Sequence, residues 1–128
     1  MVHACHCSQC QRVTGSAFVM NAMIEKSQLE LISGTPESSH FEDTTHTAYY
    51  CGECGTYVWS QYAGLDSCWF VRVGVLDDRD SLPPDVHIYT STKQPWMVIP
   101  DGVPTFDEFY DLPTFWSAEN LARLNAAS

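Results

Sequence analysis

The sequence predicts an all-β domain ended by one short helix, and three observations carry that expectation. Apolar and polar residues alternate in short runs. These runs recur at roughly ten-residue spacing with turn residues between them, and only the C-terminal stretch exchanges alternation for helical spacing. Taken in order, Val2-His3-Ala4 reads as a strand leading into Cys5. SAFVMNAMIE (16–25) sets Phe18, Met20, Ala22 and Ile24 on one side of a period-two pattern, a strand with one buried face. SQLELIS (27–33) is a second strand, closed by Gly34-Thr35-Pro36, where proline ends the pairing. The polar stretch SSHFED (38–43) connects it to THTAYY (45–50), a strand that runs into Cys51-Gly52-Glu53-Cys54. TYVWSQY (56–62), a turn at Gly64-Leu65-Asp66, and CWFVRVGVL (68–76), the most apolar run of the chain, follow. DDRDSLPP (77–84) is a loop and VHIYT (86–90) a further short strand. In SAENLARLNAA (117–127), Ser117 is a suitable N-cap and Leu121 and Leu124 stand three apart, which predicts the helix.

Composition narrows the function classes. A chain of 128 residues suits one domain able to bury roughly two-thirds of its unfolded surface. Its 45% hydrophobic and 17% charged residues exclude a disordered chain. Six basic against sixteen acidic residues give a net charge of −10, a field that repels polyanions and argues against nucleic acid as a partner. No basic stretch followed by an apolar run opens the chain, and no apolar run approaches the ~18 residues that span a bilayer, so neither a leader nor a membrane partner is expected. A cytoplasmic setting follows as the expectation. In that reducing compartment clustered cysteines serve as metal ligands or redox groups rather than disulfides.

Five of the six cysteines fall in two clusters, Cys5, Cys7 and Cys10 in ACHCSQC and Cys51 and Cys54 in YCGECG. Sulfurs at i and i+2 of an extended segment project to one side. A third, three residues on, returns to the same point if the chain between them curls, and three sulfurs can then lie ~2.3 Å from one Zn²⁺. The second cluster has zinc-knuckle spacing, with glycines that permit the tight turn. A thioredoxin-like redox pair would need a helix start in a βαβ setting, whereas strands flank this pair. Cys68 opens an apolar strand away from other chelators and reads as a core residue. His6, between two ligands of an extended segment, should point the other way. The first cluster therefore counts three ligands and an opening, the arrangement of a catalytic rather than a closed structural zinc. A thiolate-rich zinc suits a soft fourth ligand such as a small thiol, whose pKa it would lower from ~8.5.

The stretches ACHCSQCQRVTGSAF, YYCGECGTYVW, VGVLDD, PPDVHIY and KQPW, in this order from Val2 to Pro100, resemble the glutathione-dependent formaldehyde-activating enzyme family, which also includes centromere protein V. The resemblance implies a zinc-bearing fold of coiled antiparallel sheets shared with methionine sulfoxide reductase B, and carbon–sulfur lyase chemistry that joins glutathione to formaldehyde. It implies that Cys5, Cys7 and Cys10 are the catalytic zinc ligands and that Cys51 and Cys54 are half of a structural zinc site. Family members usually carry the other half as C-x-C-G on a strand upstream of the C-H-C loop, whereas only Met1 to Ala4 precede Cys5 here. Three arrangements follow: an opening strand lost through a misassigned start, one pooled four-sulfur site made with two loop thiolates, or ligands from a second chain.

Smaller expectations attach to single residues. Arg12, two residues after Cys10, either anchors a carboxylate of a glutathione-like thiol or stands on the surface. Lys93, Gln94 and Trp96 match the family's K-x-x-W stretch and so are expected at the substrate mouth. His87 is a core histidine or a proton shuttle. Tyr49, Tyr50, Trp59, Trp69 and Phe70 read as core or pocket wall, and Asp77, Asp78 and Asp80 as a solvated turn rather than a calcium loop. The expected organisation is a zinc-binding β domain over 1–112 and a C-terminal extension over 113–128. The expected activity is addition of a glutathione-like thiol to formaldehyde or a similar small aldehyde or other electrophile, the alternative being a zinc-stabilised binding module without catalysis.

Overall fold

Alternation in the sequence becomes one seven-stranded mixed sheet in the computed structural model, which describes residues 1–42 and 44–127. Asp43, the last residue of the expected polar stretch, and Ser128, the last of the C-terminal extension, lie outside the described residues. The elements run β1 (Val2–Cys5), α1 (Ser8–Thr14), β2 (Val19–Glu25), β3 (Pro36–His40), β4 (His46–Cys51), β5 (Tyr57–Tyr62), β6 (Cys68–Arg72), β7 (Val86–Ile88), α2 (Leu112–Phe115) and α3 (Ala118–Ala127). Strand order is β3-β4-β5-β6-β2-β1-β7. The class is mainly β, as expected. The pairs are antiparallel except β1 with β7, which run parallel with Ala4 opposite His87. The outer edge of β7 is covered by the chain around Thr105, through the amide of His87 donating to Pro104 O and that of Phe106 to His87 O, both at 2.9 Å.

Three local expectations are corrected. The alternation of β2 is present, but its buried side is Val19, Asn21 and Met23, while Phe18, Met20, Ala22 and Ile24 are half-buried. Period two fixes alternation, not which face meets the core. Asn21 tolerates that face because Arg72, opposite it on β6, donates to its Oδ1. Residues 27–33 form no strand. Lys26–Gln28 is a 3₁₀ turn and the chain beyond is irregular, with Leu31 and Ile32 52% and 91% exposed. Both edges of β2 are already taken by β1 and β6, so a strand continuing beside it has nowhere to pair. Third, Pro36 opens β3 instead of ending a strand, and Ser38, Ser39 and His40, expected in a connection, pair with β4. A proline at the first residue of an edge strand withholds a donor that the ladder does not need.

The C-terminal segment closes the core. Two buried clusters, one around Cys5, Cys10, Val19, Val86 and Ile88 and one around Met23, Cys68 and Phe70, are both touched by Trp116. Cys68 is buried, as the sequence predicts. Helix α3 begins where expected: Ser117 Oγ accepts from the Asn120 amide at 3.2 Å, and Arg123 holds Glu25 of β2 at 2.8 Å.

Candidate metal centre

The curl that the cysteine spacing requires is a helix rather than a loop. Strand β1 delivers Cys5, and Cys7 then takes the N-cap of α1 with extended φ/ψ of −64° and 150°. Its Sγ accepts from the Cys10 amide at 3.3 Å, and Cys10 lies one turn along the helix. Gly15 ends α1 in a left-handed conformation (φ 64°), the usual role of glycine there. The three Sγ atoms consequently lie within 4.8 Å of one another, and among the described residues this is the one group of three metal-donating side chains that converges. Cys5 and Cys10 are buried and Cys7 is half-buried.

Contact among the thiols separates their acidities. Hydrogen bonds from Cys10 and Cys5 pull Cys7 far down, while hydrogen bonds with Cys10 and then Cys7, and then burial, push Cys5 far up. At Cys10 the hydrogen bond with Cys5 lowers the pKa, but that with Cys7 and burial outweigh it and carry the thiol to about 11, against the pull of the Arg72 guanidinium. Three sulfurs in this arrangement cannot all ionise near neutrality by themselves. A divalent cation held by Cys5, Cys7 and Cys10 would supply the missing positive charge, and an all-sulfur set with no carboxylate among the converging groups fits zinc.

His6 turns away from the sulfurs. Its Nε2 lies 2.8 Å from His87 Nδ1, and its ring packs 5.1 Å from Phe18. Its backbone is pinned as well: the amide donates to Ile88 O at 3.0 Å, and the carbonyl accepts from Gln11 Nε2 at 2.7 Å and Thr92 Oγ1 at 3.0 Å. Burial lowers His87 and, with help from His87, takes His6 to about 4, so the pair is neutral. Both rings belong to the core.

The three cysteines form part of the wall of a cavity of about 460 Å³ that also meets His3, Asn21, Tyr62, Phe70, Tyr89 and Phe109. These come from β1, β2, β5, β6 and the segments after β7, so the coiling of the sheet gathers them. Of this wall the sequence singled out only the cysteines and Phe70; Asn21, a polar residue inside an apolar alternation, was the available signal for the rest. Behind Asn21 lies a buried polar cluster. Arg72 bonds Asn21 and, at 2.9 Å, Ser60 Oγ, with its guanidinium carbon 3.9 Å from the Tyr57 ring centre. His46 Nε2 meets the Tyr57 hydroxyl at 2.6 Å and Ser60 Oγ at 2.9 Å. Burial, reinforced by Arg72, lowers His46 to about 4. Beside Asn21, its register partner on β2, His3 meets the Tyr110 hydroxyl through Nε2 at 2.6 Å, and that hydroxyl also accepts from Trp116 Nε1 at 2.6 Å.

The remaining expected residues lie elsewhere. Cys51 and Cys54 sit in the hairpin between β4 and β5, closed by the Gly55 amide on Cys51 O at 2.8 Å with Gly55 at φ 71°. They do not join the converging group, so the structure assembles no pooled four-sulfur site. Cys54 is exposed, and hydrogen bonding from Thr56 lowers its pKa. Arg12 is exposed on α1 and shares a shallow depression with Gln11, Gln94 and Trp96, the last 70% exposed. Ser8 lies on both this depression and the thiol cavity. Lys93 spends its ammonium on the carbonyls of Met97 at 2.6 Å and Gln94 at 3.2 Å. Asp77, Asp78 and Asp80 are exposed. Among the described residues no helix is long and apolar enough to cross a membrane.

The solved structure of a Rhodobacter sphaeroides protein superimposes with a TM-score of 0.51 at 24% identity, covering 65% of this chain and 77% of that one, which supports the fold alone. The family model described as glutathione-dependent formaldehyde-activating enzyme matches residues 1–92, a span that contains both cysteine clusters and all seven strands. The chain belongs to the glutathione-dependent formaldehyde-activating enzyme family.

Proposed function

We propose that the chain is a zinc-dependent carbon–sulfur lyase-type enzyme that adds a small thiol to formaldehyde or a similar small aldehyde, in a reducing, cytoplasmic setting. Glutathione is the thiol that the family description names. The observation that carries the reading is the convergence of Cys5, Cys7 and Cys10 at the wall of a cavity open to small molecules. Zinc held there would lower the pKa of an incoming thiol and keep its sulfur nucleophilic near neutrality. Cys51 and Cys54 are kept as half of a second, structural zinc site, and Arg12, Lys93 and Trp96 as contacts for the parts of the thiol that extend out past Ser8.

The chain's own residues account for the remaining chemistry. The thiol sulfur attacks the aldehyde carbon, a C–S bond forms, and the carbonyl π pair moves onto oxygen. That oxygen takes up one proton, balancing the one that the thiol gave up. Tyr62 lines the cavity, and burial raises its pKa, so its hydroxyl stays protonated and available as a donor. Asn21 offers the second donor, since Arg72 occupies its Oδ1 and leaves its Nδ2 amide.

The test is the rate of S-hydroxymethyl adduct formation from formaldehyde and either glutathione or benzyl mercaptan, followed by exchange NMR against the uncatalysed reaction. Acceleration that Cys10→Ser abolishes supports the reading. No acceleration with either thiol by protein that retains its metal would leave a zinc-stabilised binding module instead.

A further inference from the structure

The wall of the thiol cavity has a chemical character that its cysteines do not require. Tyr62, Leu65, Phe70, Ile88, Tyr89 and Phe109 give it a largely apolar lining, and no lysine, arginine, aspartate or glutamate takes part. His3, the one histidine of the lining, has its Nε2 engaged by the Tyr110 hydroxyl at 2.6 Å. The buried Arg72 stands behind Asn21 and already binds Asn21 and Ser60. The protein as a whole carries −10. A carboxylate held within this cavity would lose its hydration with no lining cation to replace it, since Arg12 lies beyond Ser8 in the outer depression and Lys93 spends its ammonium on backbone carbonyls, and the net charge would oppose its approach. Size calls for a body beyond the reacting atoms. About 460 Å³ falls in the range of roughly 300–1,000 Å³ typical of small-molecule sites. A one-carbon aldehyde leaves most of it empty.

We infer that the cavity selects an uncharged thiol with an apolar body the size of an aromatic ring over a tripeptide thiol with two carboxylates. The inference rests on the proposed thiol binding at Cys5, Cys7 and Cys10 and narrows it to a substrate class. The body of the ligand lies against Phe70 and Tyr62 with Phe109 at the mouth, where that ring is 36% exposed and stacks on His3 at a centroid distance of 5.9 Å. Ring burial against such a wall strengthens binding, and an uncharged thiol avoids the desolvation of carboxylates.

Calorimetric titration of the metal-loaded full chain with benzyl mercaptan, 2-mercaptoethanol and glutathione tests this. Benzyl mercaptan should bind at least about tenfold more tightly than 2-mercaptoethanol, and glutathione no more tightly than 2-mercaptoethanol. Phe109→Ala should weaken benzyl mercaptan by about threefold or more and leave 2-mercaptoethanol unchanged. Glutathione binding as tightly as benzyl mercaptan, or Phe109→Ala weakening all three thiols alike, would overturn the inference while leaving thiol binding in place. Binding of none of the three would overturn the thiol reading itself, and the inference with it.

Discussion

His6 Nε2 and His87 Nδ1 lie 2.8 Å apart in the core, and this contact holds the His6 ring on the side away from the cysteine sulfurs. With the His6 ring drawn toward β7, its two neighbours Cys5 and Cys7 present their sulfurs to the opposite side. His87→Ala leaves the buried His6 nitrogen unpaired and opens a void beside Phe18, so a loss of about 2–4 kcal/mol is expected. Denaturant unfolding measures the loss, and chelator competition should show weaker metal retention. Unchanged metal affinity would mean that the backbone bonds of His6 orient the loop without the ring.

Arg72 predicts a second effect. Its guanidinium is buried, its hydrogen-bond partners among the described residues are the neutral Asn21 and Ser60, and its charge acts on Cys10. Arg72→Met should cost about 2–4 kcal/mol by orphaning those partners. It should also shift metal uptake to higher pH, because the thiol of Cys10 loses a cation that favours its ionised form. Arg72→Lys should restore much of the pH dependence but less of the stability.

His46 makes stability depend on acid. Its pKa falls from 6.5 when unfolded to about 4 when folded, through burial and then Arg72. Between those values the unfolded chain binds the proton and the folded chain does not, so stability is complete above about pH 6.5 and declines as the pH falls toward 4. The contribution is at most about 1.4 kcal/mol per pH unit. His46→Gln keeps a partner for Tyr57 and Ser60 but does not titrate, so the stability gap between wild type and variant should narrow over that window. A constant gap would show that His46 is charged in the folded protein.

The separation of the two cysteine clusters predicts distinct metal phenotypes. Cys10→Ser should lose the metal held by the loop triad, whereas Cys54→Ser should retain it, as elemental analysis per chain would report. Equal loss in both variants would mean that the clusters share one ion.

How far the site was legible follows from what sets each part of it. The spacing of Cys5, Cys7 and Cys10 fixes their convergence through local chain geometry, so the triad could be read directly. Of helix α1 the sequence predicts only a curl, because Ser8–Thr14 carries no apolar stripe; Gly15 is its one stop signal. The cavity wall could not be read. Asn21, Tyr62 and Phe109 meet only through pairing of distant strands, and sequence periodicity says nothing of which strands become neighbours. The same blindness predicts a strand at 27–33, where the pattern is favourable but both edges of the preceding β2 are occupied. Cys68 and the β4–β5 hairpin were legible because burial of an apolar run and a glycine turn are local decisions.

The central claim, that Cys5, Cys7 and Cys10 hold a metal with a position open to an incoming thiol, is tested most directly with cobalt in place of zinc. The sulfur-to-cobalt charge-transfer absorption of the full chain is titrated with benzyl mercaptan, with Cys10→Ser as control. The account predicts a band that rises to a saturable plateau as the added thiol joins the metal, and a much weaker band, unresponsive to thiol, in Cys10→Ser. A spectrum of four sulfurs before any thiol is added, unchanged on titration, would contradict it and make the site a closed structural one.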